Sequence, residues 1–541
     1  MKRLPHCTRF SFLTALLLVA GLPLYSHGFT ISGQNEARFG RGIQVGRGFD
    51  GKFNYFENYL ELSASHEQLR FYLRQAYRVP GEYEQRTAGL NAFDKMYVEY
   101  ATDDYTVRGG DFYRVWGKGL LFGNLEVRDS NTDSGLEGLL VEGRYKGFEA
   151  SVLRGVESDS TTTPRESAEG FYLSQRLPMD SRIGGAYFHF DAGSRHPEFE
   201  RHGIEVEKEF PVGSFYAVYT SDRFPAEWWS FVMFTPPPER THRFYHSMFA
   251  NGALYGDGWS VYLDYRNYAL YTFNEIVPVI GPIWQMSLQN PPTGRPENTF
   301  HLMDSYPRLV SYFDEIGYQL ELSLNRWDWE FMANYNHAAL ADKDGIIARL
   351  ADPYSPQRSL FLKADHSFGT GDRLGFKGGI QQDVEDNSYV SPFDSSYHEL
   401  VDRSKRFGLG VDYSHDFTDI VALDGELQIM SVANVYSAPP VSQYWEQYMS
   451  LTASRGVVSL TGGLMRSEKD RLYEGAAWPK GLLGRGGARC WPSALLVTQI
   501  LERHRLEVFY GYERGGVSCA GGICRVVNPF KGVKLTLTSH F

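Results

Sequence analysis

Two stretches of this chain carry side chains spaced for chemistry. The first is Cys519-Ala520-Gly521-Gly522-Ile523-Cys524. Gly521-Gly522 suits a two-residue primed turn, which sets Ala520 opposite Ile523 and Cys519 opposite Cys524. In a non-hydrogen-bonded pair the backbones approach closely enough for a disulfide, and an oxidising compartment favours the bond. Free thiols, or a bond from Cys490 to one of the two, stay open. The second stretch is the connection 116–136, where Lys118, Glu126, Arg128, Asp129 and Asp133 stand among glycines. Together with Arg108, Asp111 and Arg114 just before it, this set could oppose charges across a pore and filter solutes by size and charge. The same residues could equally form a solvated surface loop.

Other patterns weigh against enzyme chemistry. Asp129 to Gly135 has the acidic spacing of a calcium loop, but the Gly comes one place late and Leu140 holds position twelve. The glycines at 40, 42, 46 and 48 lack the spacing and the βαβ setting of a dinucleotide site, and read as a flexible turn. No Gly-x-Ser-x-Gly elbow, His-Glu-x-x-His pair or zinc-spaced Cys/His set occurs. No metal and no cofactor is implied, and the chain is not expected to be an enzyme. A hydrolase site assembled from distant strands is kept as a third reading. Trp228 to Phe234 is apolar enough to mark a partner site, or to top a strand in an aromatic girdle. The connection 270–312, with Pro278, Pro282, Trp284, Pro291 and Pro292, is long enough to fold back and plug a wide lumen.

Such residues need elements to position them, and the elements are strands. Val533, Leu535, Leu537 and Phe541 fall on one face, and Lys534, Thr536, Thr538 and His540 on the other. The alternation recurs at Trp259–Arg266, Tyr318–Leu324 and Arg505–Glu513. A final amphipathic strand ending in an aromatic, here Phe541, is the ending that outer-membrane assembly machinery reads. Counting back from it, every second connection is short: Arg503-His504, 454–456, 415–419, 368–372, Asn325-Arg326, 255–258, 210–213, 177–181, 145–147, 102–104 and 65–67. The intervening ones are mostly long, including 41–51, 79–92, 116–136, 222–242, 270–312 and 468–491. Short connections on one side and long ones on the other are the habit of bacterial barrels. The count predicts an all-β, antiparallel, up-and-down transmembrane barrel of about 24 strands (22–24), with both termini periplasmic.

The amino terminus and composition agree. Lys2, Arg3 and Arg9 precede an apolar run from Ser11 to Leu24, and Ser26-His27-Gly28 offers small residues for cleavage before Phe29. Residues 1–28 are therefore expected to be a signal peptide, and 29–541 the barrel. Only 42% of residues are hydrophobic, yet 15% are aromatic, as suits a wall greasy on its outer face and belted with aromatics. The net charge of −11 argues against a nucleic-acid partner, which needs a basic face.

Gly110-Asp111-Phe112-Tyr113-Arg114-Val115-Trp116-Gly117-Lys118-Gly119-Leu120-Leu121, with Arg128-Asp129 and Leu136-Glu137-Gly138 behind it, resembles an uncharacterised family of outer-membrane barrels of the Bacteroidetes and relatives, defined only as a domain of unknown function. Asn290 to Thr293 and Gly515 to Arg525 also look like that family. The resemblance implies a barrel and an outer-membrane address, and carries over no catalytic residue.

The expected work is porin-like diffusion or facilitated passage of a solute of unknown identity. The alternative is a non-conducting barrel that binds a surface partner through 222–242 and 270–312, or supports secretion. Outer-membrane lipid and the barrel-assembly machinery are the general partners of either.

Overall fold

The computed structural model describes residues 28–46, 49–79, 81–82, 90–128, 132–157, 167–191, 198–223, 244–268, 292, 300–304, 315–340, 354–369, 371–386, 389–390, 397–398, 401–418, 420–435, 442–468, 489–514, 516–520, 523–527 and 529–541. Twenty-four strands form one sheet in which each pairs antiparallel with its chain neighbours. The first, Thr30–Gly46, pairs with the last, Phe530–His540, and closes the circuit. Gly33 and Phe541 seal that seam with two backbone bonds of 2.8 and 3.0 Å. Closure removes every free edge, which is what a sheet in lipid requires.

The polarity of the wall is inverted relative to a water-soluble protein. On Leu90–Ala101, Met96, Val98 and Tyr100 are exposed, whereas Lys95 and Glu99 are buried. On Val401–Thr418, Phe407, Leu409, Val411 and Tyr413 are exposed and Arg406 is buried. Apolar side chains therefore face outward and charged ones inward, as the period-2 alternation dictates. This is a large barrel of the outer-membrane type. No helix among the described residues is long and apolar enough to cross a membrane. The signal segment expected over 1–28 lies, apart from Gly28, outside the described residues.

Connections on the side of the termini are tight. Lys146-Gly147, Met179-Asp180, Trp327-Asp328 and Leu501-Glu502 each take two successive positive φ values, the backbone of primed hairpin turns. Two of these correct the sequence reading. The turn lies at Trp327-Asp328, not Asn325-Arg326, and at Leu501 to Arg503, not Arg503-His504. In both, a bulky or charged residue takes the left-handed position usually held by Gly or Asn, so composition hid the turn. A third correction concerns 41–51, expected to be a long connection. It is mostly strand: Thr30–Gly46 and Phe49–His66 pair throughout their length as an extended hairpin. Gly42, Gly46 and Gly51 all sit in the ladder of that hairpin rather than in a loop.

Candidate functional site

The connection that follows Tyr105–Phe112 enters the lumen. Gly117, Lys118 and Gly119 take φ values of 58°, 49° and 87°, a left-handed turn closed by the Leu120 N–H donating to the Gly117 carbonyl at 3.0 Å. Gly117 is required there, since a Cβ would fall 2.4 Å from Leu121 Cγ. The turn aims Lys118 at the wall, where Nζ donates to Asn251 Oδ1 at 3.0 Å and lies 4.6 Å from the centre of the Tyr216 ring. Burial pulls the Lys118 ammonium below its ordinary value, partly opposed by Glu207, Asp264 and Glu205 nearby.

Beyond the turn the loop builds an apolar core inside the barrel. Leu120 and Leu121 are fully buried against Tyr172, Tyr216, Val218, Phe249 and Tyr268. Phe122 packs with Phe112, Leu136, Leu140, Phe188 and Phe190, and Trp116 lies 5.3 to 5.8 Å from the rings of Phe122, Phe188 and Tyr172. The wall makes room: at Gly203 a Cβ would meet Leu121 Cδ2 at 2.0 Å. Arg201, fully buried, grips Asp222 in a bidentate pair at 2.7 Å and donates to the Leu121 carbonyl at 3.3 Å. Asn124 staples the neck, its Nδ2 donating to the Phe112 carbonyl at 2.9 Å.

The arm 126–133 then reaches the wall nearly half the circuit away. Arg74 donates to both Glu126 oxygens at 2.7 Å and to Asp94 at 2.8 to 3.1 Å. Arg128 pairs with Glu61 and with Glu126, the latter at 3.3 Å. Asp133 takes Lys95 at 2.7 Å and accepts from the Tyr113 hydroxyl at 2.9 Å. Burial, the largest single effect, would raise the Asp133 carboxyl, but the Lys95 ammonium, the Gly135 N–H and the Tyr113 hydroxyl together hold it below its usual value.

Most of the charged residues expected at a constriction are thus brought together, largely as partners of the wall. Arg108 pairs with Glu99 and stacks 4.2 Å over Tyr97. Asp111 accepts the Met96 N–H at 2.7 Å, and Arg114 donates to Glu142 at 3.0 Å. Asp129 lies outside the described residues, as does the loop 224–243 with its Trp228 to Phe234 segment. Sequence reasoning missed Glu61, Arg74, Asp94 and Lys95, the wall half of this network. Their signal was a charged residue recurring at every fourth position on one face of a strand, as at Glu57 and Glu61, Arg70, Arg74 and Arg78, and Lys95 and Glu99.

A second segment occupies the other half of the lumen. Within the long connection after Trp259–Asn267, Phe300, Leu302 and Met303 are buried against Phe361, Met430, Val432, Tyr444, Met465 and Trp491. The short helix His301–Asp304 is pinned by the Leu302 N–H to Gln428 Oε1 bond of 3.0 Å, and His301 stacks 4.2 Å from Tyr448. At Gly408 a Cβ would meet Phe300 at 2.6 Å, so this contact too is built into the wall. The rest of 270–312, save 292, lies outside the described residues. A third inward contact is Glu82, which takes Lys534 at 2.7 Å beside the closing seam.

The hairpin Gly516–Ala520 with Ile523–Val527 places Cys519 opposite Cys524 and Ala520 opposite Ile523. That is the register expected from the sequence. The disulfide itself rests on side chains outside the described residues. Cys490 is a free thiol.

No curated protein matches the chain. Solved structures with similar folds include the E. coli P pilus tip assembly intermediate PapC-PapD-PapK-PapG, at 10% identity and a TM-score of 0.48, covering 96% of this chain and 62% of that one. This chain therefore spans less than two thirds of that relative's length. The siderophore receptor PirA of Pseudomonas aeruginosa is similar at 8% identity and a TM-score of 0.45, covering 94% and 80%. The translocation pore of the P pilus usher PapC is similar at 10% and 0.42, covering 94% and 99%. Residues 495–541, the strands that lead up to the closing seam, match the model of a family of unknown function, DUF6029.

Proposed function

We propose that this protein is an outer-membrane channel whose lumen is held narrow by its own inward-folded connections, and that it passes a small or oligomeric solute along a charged wall. The observation that carries the reading is the loop 113–135, anchored at Lys118 on one wall and at Glu126, Arg128 and Asp133 on the other. A pore narrowed by an inward loop selects by size and by the charges that loop holds. Arg114, Lys118, Glu126, Arg128 and Asp133 act here first as anchors of the constriction and through that position as its charge filter, beside Arg108 and Asp111 on the wall; Asp129, outside the described residues, is a candidate for the same filter by its charge. The mature chain begins near Phe29, its termini and tight turns face the periplasm, and the long connections face outward. Phe541 is read by the assembly machinery. A Cys519–Cys524 bond clips the last external hairpin.

The test is single-channel recording in planar bilayers with the mature protein and with a form lacking 125–133. Small steps in the intact protein and larger ones in the deletion are expected. A folded barrel silent in both forms overturns the channel. That outcome favours the second reading, a plugged barrel presenting 222–242 and 270–312 to a surface partner, which rests on the apolar packing of both inward segments.

A further inference from the structure

One region of the outer wall departs from a uniform apolar belt. Across the strands Asp372–Asp386 through Val458–Ser467, an apolar groove of about 570 Å³ is lined by Phe376, Leu409, Val411, Leu427, Ile429 and Met449. Such a volume falls within the roughly 300–1,000 Å³ of ligand-sized clefts. Its rim residue Arg466 is partnered by Gln447 at 3.1 Å and Glu468 at 3.5 Å.

The register shows where the groove leads. Toward the long-connection end, Ser431 stands between Phe407 and Trp445. One pleat further, Ala433 stands beside Lys405. Ser431 between the exposed rings of Phe407 and Trp445, with Ala433 above it between Lys405 and Gln443, leaves a slot that rises from Leu427 and Ile429. At its top, Lys405 pairs across Gln382 with Arg358, and Arg403 stands two residues before it on the same face. All three cations are exposed, and no ion pair joins them to an acid among the described residues. Cations directly above a lipid-facing groove are complementary to one chemistry, an anionic headgroup on acyl chains.

We infer that this face binds a phosphorylated lipid of the outer leaflet, with phosphate on Arg358, Arg403 and Lys405 and an acyl chain in the slot and groove. The choice of leaflet rests on the orientation proposed above. Adding protease to intact cells and mapping cleavage in the long connections reads that orientation separately.

The binding test is native mass spectrometry of the intact barrel titrated with lipid A, dephosphorylated lipid A and phosphatidylglycerol. Lipid A should bind preferentially, and the triple variant R358Q/R403Q/K405Q should bind it about a hundredfold more weakly. A second variant, Ser431→Trp, keeps the cations but closes the slot, and should weaken binding at least tenfold. Heat-modifiable gel migration confirms that each variant is a closed barrel. Unchanged affinity in either variant overturns the site, as does equal binding of the dephosphorylated lipid. Preference for phosphatidylglycerol overturns the assignment to the outer-leaflet lipid.

Discussion

Arg128 shows what a single charge does in this lumen. Its guanidinium joins Glu61 on the wall to Glu126 on the arm and lies 5.1 Å over Tyr59. Removing one partner of this half-buried, hydrogen-bonded pair leaves the other without its partner, at a cost of about 1–3 kcal/mol. Arg128→Gln should therefore free the arm, raising conductance and shifting ion selectivity in bilayer recordings; unchanged steps would remove Arg128 from the constriction. Asp133 gives the same arm a pH limit. Its carboxyl titrates below 3.8 when folded, so its pairing with Lys95 contributes fully above that value and is lost only as pH falls further. Conductance should accordingly be flat through mild acid and rise at lower pH. Asp133→Asn should abolish the rise, and a wild-type transition near neutrality would contradict the assignment. The Leu121 side chain, fully buried at the other end, holds its place by apolar packing. Leu121→Ala opens a cavity worth about 2–5 kcal/mol, and hydrogen exchange should quicken over 116–124 while the wall stays protected.

Among the elements, legibility in the sequence followed the physics of each piece. Strands with a lipid face and a lumen face announce themselves by alternation, and Trp259–Asn267 or Phe530–His540 could be placed from their side chains alone. Tight turns were legible to within two residues where Gly marked them, as at Lys146-Gly147, and shifted where Trp327 or Leu501 held the left-handed position. The inward course of 113–135 was open, because its partners Glu61 and Asn251 lie far away in sequence and pair only once the sheet has curved. The hairpin at Cys519 and Cys524 was local, so its register was readable. Mapping an unreduced digest should recover those two cysteines joined, and a link to Cys490 would refute the pairing. Because the ring is small, C519S/C524S should leave the melting temperature of the barrel almost unchanged.

For the molecule as a whole, closure depends on one seam, and that seam ends on Phe541. Its main chain bonds Gly33 in both directions, and the Phe541 ring lies where a Gly33 Cβ would stand, 2.3 Å from Cε2. Deleting Phe541 should lower the amount of folded protein recovered from the outer membrane in cells, while protein refolded in detergent still closes. Equal recovery in cells would show that the terminal aromatic is not what assembly reads. The contents of the lumen also carry a chronology. Lys118 meets its partner 133 residues away and Leu302 meets Gln428 across 126, whereas every wall pair except the seam of first and last strand joins neighbours across a single connection. Closing such distant pairs loses chain entropy before any contact is made, so the wall zips first and fills last. The newborn barrel is for a time hollow, and dye should escape from vesicles in a brief pulse as the protein folds into them, ending when the two inward segments settle.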